Sequence, residues 1–189
     1  MSFFGEYIRH PFTIGAVAPS SHFLAKKMVK DINFQTCDCI IEYGPGTGVF
    51  TRELLRRKNR KTPLLLIEQN EKFYRNLKKR YGKNHTVTIY HGSAEDVEKF
   101  LAKHGKPKNC CVVSGLPFAS LPKPVTDAIL KATKRVIGRE GKFITFQYTL
   151  FKKHVFTKYF KIVNCQYELR NLPPAFVLTM QNVVRKRQK

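Results

Sequence analysis

The sequence predicts an α/β protein on a mostly parallel sheet, and three observations predict it. Short apolar runs alternate with longer mixed-charge stretches through the middle of the chain. The first strong run, "IIEYGPGTG", ends in an acid and passes through three glycines at alternate positions directly into an amphipathic stretch. After Tyr148 the pattern changes to two strand-like runs joined through Pro173 and Pro174.

Five runs read as strands, at 37–43, 64–68, 86–90, 109–114 and 142–148, and the segments between them are long enough for crossover helices. The two later runs, "FKIVNCQYELRNL" and "AFVLTMQNVV", suit a closing antiparallel pair, a common edge for an α/β sheet. Ahead of the first strand, "SSHFLAKKMVKDI" places Phe23, Leu24, Met28 and Ile32 near helical spacing, with Lys26, Lys27 and Lys30 on other faces. That pattern reads as a packed surface helix or as one that touches a membrane.

The chain has 189 residues, enough for one domain with a sizeable core, and shows no repeat or linker that would divide it. Its 35 basic and 13 acidic side chains give a formal charge of +22, which attracts polyanions: nucleic acid or an anionic membrane surface. The basic runs "RRKNRK", "KKRYGK" and "VVRKRQK" serve either partner. Cys37, Cys39, Cys110, Cys111 and Cys165 are odd in number and lack metal-ligand spacing, so they read as reduced core residues of a cytoplasmic protein. No metal is expected. The N-terminal "PFTIGAVA" mimics a secretory leader, but it is short, opened by Pro11 and broken by Gly15. No run approaches the length of a spanning helix, so any membrane contact is expected to be peripheral.

The glycine turn separates ligand classes. Gly44, Gly46 and Gly48 clear the way to backbone N–H groups at the edge of a first strand. Val49 occupies the place of the third glycine of a dinucleotide fingerprint, and the Gly-Lys-Ser/Thr ending of a P-loop is absent. Two acids suit a ligand with a cationic end and a ribose. Glu42 precedes the turn and can face an ammonium or its bound water, and Glu68, ending the second strand, can accept from both ribose hydroxyls. S-adenosylmethionine has both groups.

From Phe12 to Ala175 the chain resembles the class I methyltransferases. The resemblance implies a Rossmann-like, mostly parallel seven-stranded sheet with an antiparallel C-terminal strand and helices on both faces. It also implies cofactor contacts from Glu42, Gly44, Gly46, Gly48 and Glu68. The adenine element "YHGSAEDV" has Ser93 where the family usually has an aspartate, which leaves adenine contact to Ser93, Ala94 and Gln69.

At the end of the fourth strand, the enzymes that methylate the adenine amine, including the rRNA adenine dimethyltransferases, carry N-L-P-Y/F. This chain reads Ser114-Gly115-Leu116-Pro117-Phe118: the loop's shape is kept, but the carbonyl-bearing side chain is missing and glycine cannot replace it. With "IGAVAPSSHFLAKKM" and "NLPPAFV", the "SGLP" loop resembles the bacterial phospholipid N-methyltransferases, which convert phosphatidylethanolamine stepwise to phosphatidylcholine. The implied acceptor is a phospholipid headgroup at the cytoplasmic membrane surface, with rRNA as the alternative; no obligate protein partner is evident. Residues 1–36 are then an amphipathic segment for membrane contact and a cofactor lid, and residues 37–189 the methyltransferase domain.

Ser114 is a candidate for the catalytic corner and for cofactor contact. Tyr148 and His154 are candidates to hydrogen-bond the reacting amine, with a structural role as the competing reading for each. Leu116, Pro117 and Phe118 shape the acceptor loop, and Phe118, Tyr148 and Phe151 offer aromatic faces to a methylated ammonium. Lys152, Lys153 and Arg170 are candidates for the lipid phosphate. Asn171, with Pro173 and Pro174, enters through the resemblance.

Overall fold

The computed structural model describes residues 20–105 and 107–183. Residues 1–19, where most of the expected membrane contact and lid falls, and the greater part of "VVRKRQK" lie outside the described residues.

The elements follow the predicted alternation: α1 (His22–Met28), β1 (Cys39–Tyr43), α2 (Val49–Arg57), β2 (Leu64–Glu68), α3 (Glu71–Tyr81) and β3 (Val87–His91). Then come α4 (Val97–Leu101), β4 (Cys110–Ser114), α5 (Lys123–Val136), β5 (Lys142–Gln147), α6 (Lys153–Thr157), β6 (Phe160–Glu168) and β7 (Ala175–Asn182). The seven strands form one sheet in the order β3-β2-β1-β4-β5-β7-β6. β1 to β5 pair in parallel, and β7 runs antiparallel to both of its neighbours.

β1, β2 and β4 are buried along their whole length, as strands covered on both faces must be. Alternation divides β1 between two cores. Cys39, Ile41 and Tyr43 pack with residues of α4, α5 and α6, while Ile40 packs with those of α1, α2 and α3. The order reverses at β1, since β2 lies on one side and β4 on the other, and at such a switch the two loops diverge and leave a crevice at the carboxyl edge.

The expected N-terminal helix is shorter than the pattern that predicts it. Ser21 caps α1 by accepting from the Leu24 N–H at 3.1 Å, and Leu24, Ala25 and Met28 are buried. Side chains distant in sequence lock it to the C-terminal strands. The Ser21 N–H donates to Asn171 Oδ1 at 2.9 Å, and the Arg170 guanidinium lies 4.1 Å from the Phe23 ring centre. Lys27 Nζ stands 3.2 Å from Glu168 Oε2. Just beyond the helix, the Asp31 carboxylate accepts from Asn164, Gln166 and Thr179.

Cys37, Cys39, Cys110 and Cys111 are buried as expected, but Cys165 is exposed, because β6 is an edge strand with one face turned to solvent. Among the described residues no helix is long and apolar enough to cross a membrane.

Glu168 joins these locks. Its side chain is almost wholly excluded from solvent, and it accepts from Arg170 Nε at 3.0 Å as well as meeting Lys27. Chiefly the Arg170 hydrogen bonds, and then Lys27, hold its carboxyl down at about 2. The folded chain therefore holds this proton less tightly than the unfolded chain does. The stabilisation is complete above the ordinary value of 4.5 and is lost as pH falls towards about 2. Glu168→Gln should lower stability by roughly 1–3 kcal/mol near pH 7. The gap between variant and parent should close in denaturant melts repeated down to pH 2 or 3; a gap that stays constant would sink the linkage.

Candidate active site

The turn after β1 and the ends of β2, β3 and β4 enclose a cavity at the carboxyl edge. Its floor and walls include Gly44, Gly46, Glu68, Gln69, Gly115 and Leu116. Gly44, Gly46 and Gly48 have φ of +60°, +53° and +81°, a region in which a Cβ is strained, so the alternation of glycines is a backbone requirement. A Cβ on Gly46 would meet no atom within 4 Å, so the turn holds open a space next to its backbone.

Glu68 is the acid that builds the site. It is 5% exposed and lines the cavity. Oε2 accepts from the Gly46 N–H at 2.9 Å and Oε1 from the Asn70 N–H at 2.8 Å, so one carboxylate holds both the glycine turn and the start of α3. Burial raises its affinity for a proton, and the two N–H donors oppose that rise. Gln69 and Ala94 also line the cavity.

Glu42 lies deeper. It is fully buried and does not line the cavity; Oε2 accepts from Thr51 Oγ1 at 2.7 Å, and Oε1 has no hydrogen-bond partner. Burial, with a contribution from the nearby Glu68 charge and against the Thr51 hydrogen bond, pushes its carboxyl up to about 8. A buried acceptor left unpaired is costly, so Glu42 is poised to receive a donor or a cation from above the turn.

Several expected side chains sit elsewhere. Ser114 is fully buried beneath the acceptor loop, where its Oγ accepts from the Leu116 N–H at 3.2 Å; it shapes that loop and does not line the cavity. The position that does is Gly115. Its N–H donates to the Tyr43 carbonyl at 2.8 Å, and a Cβ there would stand 2.8 Å from the Gly44 carbonyl oxygen. Leu116 and Pro117 line the cavity, but Phe118 turns inward and is 4% exposed, edge-on to Phe143 and Phe156 at 6.0 and 5.3 Å. Ser93 caps the turn before α4 by accepting from the Glu95 N–H, which draws its hydroxyl away from the cavity.

Tyr148 and His154 also fall outside the cavity lining. Tyr148 is half-buried with its ring 5.5 Å from Phe146, and His154 is exposed on α6. Phe151 is exposed, Lys152 Nζ donates to the Ala119 carbonyl, and Arg170 is engaged with Glu168 and Phe23. Asn171 is buried; while its Oδ1 receives the Ser21 N–H, its Nδ2 donates to the Pro173 carbonyl at 2.8 Å. Its place is the joint between "SSHF" and "NLPP". Sequence reasoning passed over Asn70, Phe73, Gly92 and Ile129, which line the cavity, and Thr51, which holds Glu42. Asn70 alone left a trace: an Asn-Glu pair at the head of a helical pattern marks a cap, and its side chain accepts from the Phe73 N–H.

The glycine turn, the ribose-type acid at the end of β2 and the strand order define an S-adenosylmethionine-dependent methyltransferase of Rossmann-like fold. The chain belongs to the ribosomal RNA adenine dimethylase family, whose profile matches residues 20–162. It is 29% identical over 175 residues to an ornithine lipid N-methyltransferase from Singulisphaera acidiphila, a match that covers 92% of this chain and 91% of that one. It is 32% identical over 96 residues to a ribosomal RNA small subunit methyltransferase A from Coxiella burnetii, but that match spans 51% of this chain and 35% of the other. Among solved structures, the fibrillarin of Aeropyrum pernix with natively bound S-adenosylmethionine superposes with a TM-score of 0.63 at 11% identity, over 84% of this chain and 72% of that one.

The residues present fit S-adenosylmethionine: the open space beside Gly46 suits its amino-acid end, the Glu68 carboxylate on the cavity wall suits its ribose, and Glu42 lies beneath the turn with one oxygen unpaired. Glu68→Ala should weaken cofactor binding by roughly 2–4 kcal/mol in calorimetric titration, since it removes a charged acceptor and frees the glycine turn. Unchanged affinity would refute the assignment. For Glu42 the sign is opposite to that of Glu168. The native state keeps a proton that the unfolded chain loses above 4.5, so this group lowers stability as pH rises from 4.5 to about 8. Glu42→Gln should flatten that decline in melts of the ligand-free protein and should weaken cofactor binding.

Proposed function

We propose that the protein transfers methyl groups from S-adenosylmethionine to the primary amine of a lipid headgroup, with phosphatidylethanolamine and ornithine lipid as the two substrates to offer. The observation that carries this reading is Gly115. With Leu116-Pro117-Phe118 aligned on L-P-Y/F, Gly115 stands where nucleobase enzymes have their amide, and a Cβ there would press on the Gly44 carbonyl at 2.8 Å. The acceptor corner has neither the amide that reads an adenine amine nor room for one. Similarity to a lipid N-methyltransferase over nearly the full length of both chains supports the same reading.

When bound, the cofactor supplies an electrophilic sulfonium methyl: the amine nitrogen gains a bond to carbon as the carbon–sulfur bond breaks, and one proton leaves per methyl. The protein's part is to hold the nitrogen in line and keep its lone pair unprotonated. Among the described residues lining the cavity, Glu68 is the one ionisable side chain, and it is held by two N–H donors. Amine selection then falls on the cavity's apolar acceptor side, Leu116 and Pro117, which favours the neutral form by excluding water.

A second reading, methylation of an rRNA adenine amine, is favoured by the family profile and by the +22 charge. The two separate by experiment. Methyl-labelled S-adenosylmethionine should label phosphatidylethanolamine or ornithine lipid vesicles and leave ribosomal RNA unlabelled. Label in RNA adenines with none in either lipid would promote the second reading. Gly115→Asn should lower lipid turnover roughly tenfold or more, because the new side chain displaces the glycine turn, and should gain no RNA activity.

A further inference from the structure

The strand register brings three loops to the edge that holds the cavity. Gln147, at the end of β5, pairs with Phe176, and Glu168, at the end of β6, pairs with Ala175. The loop 148–152 and the hairpin tip 169–174 therefore leave the sheet on the side from which Gly115 leaves β4. Lys152 Nζ donates to the Ala119 carbonyl at 2.6 Å, so the first of these loops touches the acceptor loop.

Apolar exposure is concentrated there. Among the described residues the exposed large apolar side chains are Phe151, Val163, Tyr167, Leu169, Leu172 and Val183, and four of the six belong to this end: Phe151, Tyr167, Leu169 and Leu172. Phe151 is 86% exposed, Leu172 76% and Leu169 71%. The segments 115–122, 148–153 and 169–174 contain no aspartate or glutamate, while Lys152, Lys153 and Arg170 stand among the apolar residues. Glu168, beside the hairpin tip, is neutralised by Lys27 and Arg170. Water-facing loops of a very basic protein have no reason to display leucine and phenylalanine without acids, whereas an anionic bilayer accepts both the apolar tips and the cations.

We propose that the loop after β5 and the tip of the β6–β7 hairpin insert into the surface of an anionic phospholipid bilayer. Phe151, Leu169 and Leu172 enter the acyl boundary, and Lys152 and Lys153 meet lipid phosphates. The mouth of the cofactor cavity then faces the headgroups, so the inference rests on the lipid reading above and names the surface that delivers that substrate.

The protein contains no tryptophan, so single substitutions report depth without background. Phe151→Trp, Leu169→Trp and Leu172→Trp should shift to the blue with vesicles of phosphatidylglycerol and phosphatidylethanolamine, and brominated lipid should quench them. Arg60→Trp, in the loop before β2 at the opposite edge, should do neither. The double variant Leu169→Ser/Leu172→Ser should bind these vesicles roughly tenfold more weakly while methylating detergent-dispersed lipid at the parental rate. Equal exposure of all four tryptophans on vesicles that sediment the protein, absence of vesicle binding, or protection of the hairpin tryptophans by RNA alone would each overturn the proposal. Methylation of detergent-dispersed lipid separates the two readings. If it persists without quenching, the docking surface is wrong and the reaction stands. Quenching without methylation of lipid in either form leaves the docking surface and removes the reaction.

Discussion

Two stretches of backbone approach each other at the centre of the carboxyl edge with no room for a Cβ between them. The Gly115 N–H donates to the Tyr43 carbonyl, and its α-carbon faces the carbonyl of Gly44, whose own Cβ would strike Leu116 Cδ2 at 2.8 Å. This contact continues the β1–β4 pairing one step beyond the last strand residues, Tyr43 opposite Ser114. Everything functional is arranged around it. The glycine turn is pressed to one side, where Glu68 catches its Gly46 N–H, and the acceptor loop begins on the other. The same closeness leaves no side chain at the corner where the glycine turn and the acceptor loop meet, and the cavity wall beyond it is the apolar pair Leu116 and Pro117.

Beneath that contact the chain buries two carboxyl groups in a protein of otherwise large positive charge. They are handled differently. Glu68 receives two backbone N–H donors and reaches the cavity wall, whereas Glu42 receives one hydroxyl and keeps an oxygen without a partner. The imbalance makes physical sense for a site whose ligand carries both a cation and a pair of hydroxyls. A fully satisfied Glu42 would have nothing left to offer a cation, and a fully ionised one would destabilise the empty fold. Stability and affinity are therefore in tension at Glu42, and the strain is localised to one buried oxygen.

What was legible in the sequence is what backbone chemistry dictates. Strand β2 appears at the predicted bounds, β1, β4 and β5 differ from expectation by one or two residues at one end, and β3 is shifted by one residue at both ends. Gly44, Gly46 and Glu68 line the cavity, and Gly48 completes the turn with positive φ but faces Tyr81 and Leu77 of α3 rather than the cavity; positive φ and a strand-terminal acid leave a direct imprint on residue choice. Side-chain direction beyond a strand end leaves no such imprint. Ser114 is the last residue of β4 and points into the core, so the reader of the cavity is its neighbour Gly115; and the turn through Leu116 and Pro117 rotates Phe118 under the sheet. Ser93 was diverted by a local alternative, since a serine ahead of a helical turn caps it in preference to reaching outward. His154 and Tyr148 have only residue type in their favour, and residue type does not say which face of a short helix or which side of a loop a side chain takes.

Asn171 shows what a resemblance can mark without explaining. Its motif and the N-terminal one stand 150 residues apart, and one hydrogen bond from the Ser21 N–H joins them. Arg170 over Phe23 and Glu168 beside Lys27 repeat the join within a few residues. Each pairing alone is a modest surface or part-buried interaction, yet all three tie the same short helix to the same hairpin, so the entropy of ordering the helix is shared among them. The helix is thereby held against the strands β5 and β7, whose ends carry the loops 148–152 and 169–174. The same helix packs on α2, whose first turn begins at Gly48, so the hairpin joint and the glycine turn lie on either side of α1. The contacts between α1 and the hairpin thus give two motifs so remote in sequence a single structural reason to occur together.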